Sequence, residues 1–206
     1  MESLGKIFGS VIRVKIMRLF LFNEKTAFDV DDVTERSRVK KPDARKELTM
    51  LAKIGFLKKK TFTKKILKPT KKKDAKSEYR KKKVNGWILN TRFDLVKPLQ
   101  KLLLDSELIK ESDIAKRIKK SGTIKFLVLS GLFMRDEDRK LDVLIVGEKI
   151  KKDILEKEIA IIESEIGHEL RYTFFTLADF EYRISMYDKL VRDVLESDHI
   201  TIIDKR

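Results

Sequence analysis

The stretch Pro42-Asp43-Ala44-Arg45-Lys46-Glu47-Leu48-Thr49-Met50-Leu51-Ala52-Lys53-Ile54-Gly55 decides how the first half of the chain folds. Ala44, Leu48, Leu51 and Ile54 recur at spacings of four, three and three, the period of a helix with one apolar side. Pro42 suits the first turn of such a helix, and Asp43 meets the unpaired N–H groups there. Gly55 accepts the left-handed conformation that ends a helix. The other side carries Arg45, Lys46, Thr49 and Lys53, with Lys40 and Lys41 at its start. The pattern predicts a helix over 42–54, apolar toward a core and rich in donors toward solvent.

Upstream, Ile7, Val11, Val14 and Met17 keep helical spacing, Leu19 to Leu21 widen the apolar set, and Arg13, Lys15 and Arg18 interleave with it. This predicts a first helix packed on one side. A second begins after Phe28, with Asp29, Asp31 and Asp32 at its start and Val30, Val33 and Val39 toward the core. A short turn over 39–42 leads into the third. Downstream, 56–62 and 84–89 read as two strands joined by a long polar loop. Three helices followed by a strand, loop and strand have the layout of a winged helix-turn-helix, with the third helix as the recognition helix.

The charge agrees with that reading. Residues 58–83 hold 14 Lys or Arg against Asp74 and Glu78, whereas the whole chain has a net charge of +15. Lys58, Lys60, Lys71, Lys72, Lys73, Arg80, Lys81, Lys82 and Lys83 are expected to hold phosphates, with the last four closing the loop. Arg45, Lys46, Thr49 and Lys53 are expected in the major groove, and Lys40 and Lys41 on the backbone beside it. Double-stranded DNA is the expected partner, with RNA as the competing polyanion.

A further helix within 93–104 carries Phe93, Val96, Leu99 and Leu103, widened by Leu95, Leu102 and Leu104. Pro98 places its regular start near that residue or kinks an earlier turn. Its apolar surface exceeds what a connector needs, which is the motive for expecting a homodimer. The domains are read as 1–105, a charged connector 106–121 with a short helix over 112–118, and 122–206. Residues 106–206 hold 19 basic and 21 acidic side chains, so the polyanion-binding charge belongs to the first half alone. The second half reads as strands over 124–129 and 141–146, a helix over 151–166, a strand over 171–176, a helical region from 177, and a short strand over 200–203. The expected class is α/β (α+β) with a mixed sheet.

The chain has no cysteine, and its two histidines, His168 and His199, lie far apart in sequence. Disulfides, thiolate chemistry and a zinc site are not expected, nor is any cofactor. No apolar run approaches the ~20 residues of a membrane helix, and charges interrupt the N-terminal apolar stretch. A cytoplasmic protein is expected.

The second half resembles the minimal nucleotidyltransferase-like domains through Ser130-Gly131-Leu132-Phe133 and Leu141-Asp142-Val143-Leu144-Ile145-Val146-Gly147, continuing through Gly167 to Tyr172 and Thr176 to Phe180. That family carries Gly-Ser after the first strand, Asp-x-Asp on the second, and a later third carboxylate. Here Gly131 and Asp142 match, while Leu132 stands at the serine, Lys140 at the first aspartate, and Arg171-Tyr172-Thr173 where the third acid belongs. A lysine at a metal ligand adds positive charge where Mg²⁺ would sit. Asp142 is expected to pair with Lys140 or Arg139, or to cap its strand. As a whole, the chain resembles prokaryotic transcriptional regulators that fuse a winged helix to a degenerate nucleotidyltransferase-like domain. The resemblance implies a DNA-binding regulator, not an enzyme, whose second domain is a scaffold, a dimerisation module or a ligand sensor. An enzyme with a metal site rearranged over Asp136, Glu137, Asp138 and Asp142, or an antitoxin-like protein of that kind, is the alternative, and an RNA-binding accessory protein is the third.

Overall fold

A computed structural model describes residues 2–67, 79–104, 109–136 and 138–206. The fold is mixed α/β and divides into two compact units, Met1–Ser106 and Glu107–Arg206.

The first unit is built around one helix. The predicted single first helix is two, α1 (Glu2–Ile7) and α2 (Val11–Phe22). Gly9 (φ 73°) breaks the run and Ser10 caps α2, its hydroxyl accepting the Arg13 N–H at 3.2 Å. α2 is not packed on one side only. Val14, Ile16, Met17, Arg18, Leu19, Phe20 and Leu21 are all buried, because α2 touches α1, α3, α4, α5 and β2. Arg18, expected among the interleaving polar positions, is 1 % exposed, and its Nε donates to the Leu103 carbonyl at 3.0 Å.

α3 (Val30–Ser37) starts from a capping box. Asp29 accepts the Asp32 N–H at 2.8 Å, and Asp32 accepts the Asp29 N–H at 3.1 Å. Arg38, in the left-handed region, turns the chain into α4 (Lys41–Lys53), where Pro42 lies in the first turn. Ala44, Leu48 and Leu51 face the core. Ile54, expected on that stripe, is the C-cap and is 53 % exposed; Gly55 (φ 83°) then turns the chain, and Phe56 is buried in its stead.

The strands are longer than predicted. β1 (Leu57–Leu67) and β2 (Tyr79–Leu89) pair antiparallel in unbroken register from Leu57 opposite Leu89 to Leu67 opposite Tyr79. Arg80 to Lys83, expected in the loop, therefore stand on β2. Period-2 alternation is weak across Lys-rich sequence, so the strand ends could not be read from it. Phe28 adds one bridge to the outer side of β2, exchanging both backbone hydrogen bonds with Trp87 at 2.9 Å. Position 86 must be glycine for this, because a Cβ there would overlap the Phe28 carbonyl. α5 (Val96–Leu103) begins before Pro98, which lies in the first turn, where the N–H that proline lacks would have had no helical acceptor. Phe93 lies outside the helix and packs edge-on to Phe56 at 5.9 Å.

The second unit is a four-stranded sheet in the order β5-β4-β3-β6. β3 (Thr123–Leu129), β4 (Val143–Glu148) and β6 (Ile200–Asp204) meet antiparallel, and β5 (Tyr172–Phe175) runs parallel to β4. The crossover between β4 and β5 is α7 (Lys152–Ile166), ended by Gly167 at φ 90°. Phe126, Val128, Leu144 and Val146 pack on one side with Phe180 of α8 (Leu177–Ser185) and Val191 and Val194 of α9 (Lys189–Leu195). Leu127, Leu129, Val143 and Ile145, which alternate with them, are buried as well, so both faces of the sheet are covered. α6 (Glu111–Ile118), the helix expected inside a connector, buries Ile114, Ala115 and Ile118 and packs on α7 within this unit.

Gly86→Ala is expected to push Phe28 off β2 and to cost about 1–3 kcal/mol, the usual range for overpacking. Chemical denaturation followed by Trp87 fluorescence checks this, since Trp87 is the chain's one tryptophan and sits at that bridge.

Candidate nucleic-acid interface and the Asp142 cluster

α4 places its donors as the periodicity requires. Arg45, Lys46, Thr49 and Lys53 are exposed opposite buried Ala44, Leu48 and Leu51. Thr49 turns its hydroxyl back to the Arg45 carbonyl at 2.8 Å. The helix is braced from behind: buried Glu47 takes the Arg13 Nε at 2.8 Å, and Arg13 also donates to the Phe8 carbonyl at 2.6 Å. Lys40, the N-cap, is exposed, whereas Lys41 is drawn into an ion pair with Asp31.

The hairpin carries nine Lys or Arg and no acid on its two strands. Lys58, Lys59, Lys60, Lys65, Arg80, Lys81, Lys82 and Lys83 are exposed, and none forms an ion pair among the described residues. Lys71, Lys72 and Lys73 lie outside the described residues. The register sets Lys65 directly opposite Lys81, and Lys64 opposite Lys82. Like charges facing each other across a ladder are destabilising, so the pairing holds against its own electrostatics.

Lys64 differs from the rest. It is half-buried, and its ammonium lies 3.1 Å from Asp29 and hydrogen-bonds Asp32. Burial raises the Asp29 carboxyl, but the Asp32 N–H and the Lys64 ammonium outweigh it and hold the group below its ordinary value. Burial likewise lowers Lys64, but its bonds to Asp32 and Asp29 prevail and raise it. Nothing in the sequence pattern set this lysine apart from its neighbours; Asp32 is 32 positions away.

In the second unit the residues of the motif come together around Asp142, which is 1 % exposed. Its partner is neither Lys140 nor Arg139. Oδ1 accepts the Leu132 N–H at 2.8 Å and Arg171 Nη2 at 2.8 Å; Oδ2 accepts the Arg171 N–H at 2.8 Å and Nε at 3.0 Å. The reason is register. β5 runs parallel to β4, so Arg171, just before β5, arrives beside Asp142, just before β4. Gly131 (φ 49°) lets the turn pass closely enough, since a Cβ there would overlap the carboxylate. Burial raises the Asp142 carboxyl, but the Arg171 side-chain bonds and the two N–H groups outweigh it and hold it below its ordinary value. Lys140 is exposed, and Arg139 instead pairs with Asp136 at 2.7 Å and Asp193 at 3.3 Å.

Of the acids of a rearranged metal site, Asp136 is thus held by Arg139 and Asp142 by Arg171, Asp138 is exposed, and Glu137 lies outside the described residues. Among the described residues no three His, Asp or Glu converge as metal ligands, and no helix is long and apolar enough to cross a membrane. No protein-family model, curated protein or solved structure matches the chain.

Asp142→Ala is expected to leave the Arg171 guanidinium and two N–H groups without their acceptor. Removing one partner of a fully buried pair costs about 3–5 kcal/mol, and the part-exposed Arg171 reduces this to about 2–3 kcal/mol. A melt followed by far-UV circular dichroism should shift while the transition reported by Trp87 stays in place. Because the carboxyl is lowered in the folded state, its contribution is complete at neutral pH. It is lost as pH falls from about 4 through the lowered value, and in the Asp142→Ala protein this part of the acid sensitivity should vanish.

Proposed function

We propose that the chain is a DNA-binding transcriptional regulator. Its first unit is then a winged helix-turn-helix, with α4 as recognition helix and the hairpin as wing, and its second unit a degenerate nucleotidyltransferase-like domain without catalysis. The observation that carries this reading is the pair of cationic surfaces: the donor face of α4, and a hairpin whose strands hold nine basic residues and no acid, packed in sequence against each other through α4 and β1. Arg45, Lys46 and Thr49 meet base edges or the phosphates beside them. Lys65 and Lys81 to Lys83 neutralise the backbone and supply affinity without sequence choice. The non-catalytic reading of the second unit is supported by Asp142, whose two oxygens are taken by four donors, leaving little for a metal.

Self-association is part of the proposal. Leu95 and Leu102, two helical turns apart at α5, are 54 % and 46 % exposed, an apolar stripe suited to a second copy. Two copies would read a two-fold operator with half-sites about one helical turn (~34 Å) apart. Light scattering at micromolar concentration should give twice the chain mass, and a monomer would remove this element.

Titration of duplex DNA over a range of salt tests the main reading. Affinity should fall steeply with salt. Changing Lys65, Lys81, Lys82 and Lys83 to alanine should weaken all duplexes alike and flatten the logarithmic salt slope by about 3–4. Changing Arg45 and Thr49 to alanine should instead cost about 1–3 kcal/mol of preference for the selected site over random duplex. Binding that is absent or indifferent to salt sinks the proposal, and preference for structured RNA at equal salt replaces it.

A further inference from the structure

We infer that Lys64 is a positioning residue: it spends its charge on α3, fixes the direction of the basic hairpin, and takes no phosphate itself. The inference rests on the hairpin being the wing of a DNA-binding unit.

The four oxygens of Asp29 and Asp32 are divided without remainder. Asp29 Oδ1 accepts the Asp32 N–H and Asp32 Oδ2 the Asp29 N–H, which closes the capping box of α3. The other two, Asp29 Oδ2 and Asp32 Oδ1, both go to the Lys64 ammonium. One side chain from β1 therefore holds the end of α3 through a cap that the helix needs in any case. It is the one cation of the two strands with carboxylate partners among the described residues.

Its place along the strand gives this contact leverage. The hairpin is held at its base, where Trp87, opposite Lys59, bridges to Phe28. Lys64 is five residues further out, about 17 Å along the strand. A ribbon held at one point pivots, and a ribbon held at two points has a direction. α3 itself packs on α4, so the second hold fixes the hairpin relative to the donor face of α4. Both surfaces then present to one duplex without reordering on binding, which is where pre-organisation adds affinity.

Electrostatics argues against a phosphate role. Drawing Lys64 away would uncover two carboxylates beside the incoming polyanion. Leaving it in place keeps them neutralised, while Lys65, Lys81, Lys82 and Lys83 stay exposed for phosphates.

The absence of cysteine allows a direct test. Spin labels at Thr63→Cys on β1 and Glu35→Cys on α3, both exposed, report the hairpin angle by pulsed electron paramagnetic resonance without DNA. The otherwise unchanged chain should give one narrow distance distribution, and Lys64→Met should broaden it at least twofold. Lys64→Gln, with the same expectation, serves if methionine disturbs the fold. An unchanged width overturns the inference. With DNA, Lys64→Met should lower affinity several-fold and leave the salt slope unaltered, whereas Lys83→Met should lower the slope by about 0.9. A slope lowered by about 0.9 in Lys64→Met makes Lys64 a phosphate contact and also overturns the inference. Should the protein bind no DNA at all, the functional proposal fails while the spin-label widths still decide whether Lys64 sets the angle.

Discussion

Lys65 faces Lys81 across a two-stranded ladder that has no acid on either strand, and that hairpin depends on the packed core beneath it. Pairing two such strands is opposed by their own charge. What holds them is at the base: Leu57 and Leu89 buried together, the Phe28 bridge, and a glycine that lets the bridge approach. The core supplies the order, and the outer strands are left as a field of positive charge held in a defined place. That is an unfavourable way to build a hairpin unless something anionic completes it.

The second unit treats charge in the opposite way. Its most deeply buried carboxylate among the described residues, Asp142, is surrounded by donors from two places in the chain: the backbone at Leu132, and the backbone and side chain of Arg171. A carboxylate that holds a metal needs lone pairs facing open space. This one faces inward, joining the start of β4 to the start of β5 and to the turn after β3. Asp142 acts here as a fastening of the sheet.

The parts of this protein that depend on local order were legible in the sequence. Ala44, Leu48 and Leu51 marked the buried side of α4, Gly55 and Gly167 marked helix ends, and the strand and helix order of the second half followed from apolar runs and the glycines between them. The parts that depend on pairing across distance were not. Arg18 looked like a solvent-facing cation because one of its acceptors, the Leu103 carbonyl, comes 85 residues later. Asp142 looked for a partner among its neighbours and found one 29 residues away, brought by a parallel strand. Lys64 was one lysine in a run of lysines until α3 stood beside it. The strand ends were hidden because lysine gives little alternation to read. In each case the missing information was which segments become neighbours, and periodicity within one segment does not contain it.

The bond from Arg18 to the Leu103 carbonyl has a kinetic consequence. The central helix of the first unit is among its earliest residues, and the helix that it anchors is among its last. This bond joins residues 85 positions apart, so it closes only when nearly the whole unit has been connected. Assembly of the unit should therefore be late and concerted, with a high barrier set by chain closure across the hairpin. The contact that ties the second helix to the last is thus among those with the greatest separation along the chain of this unit.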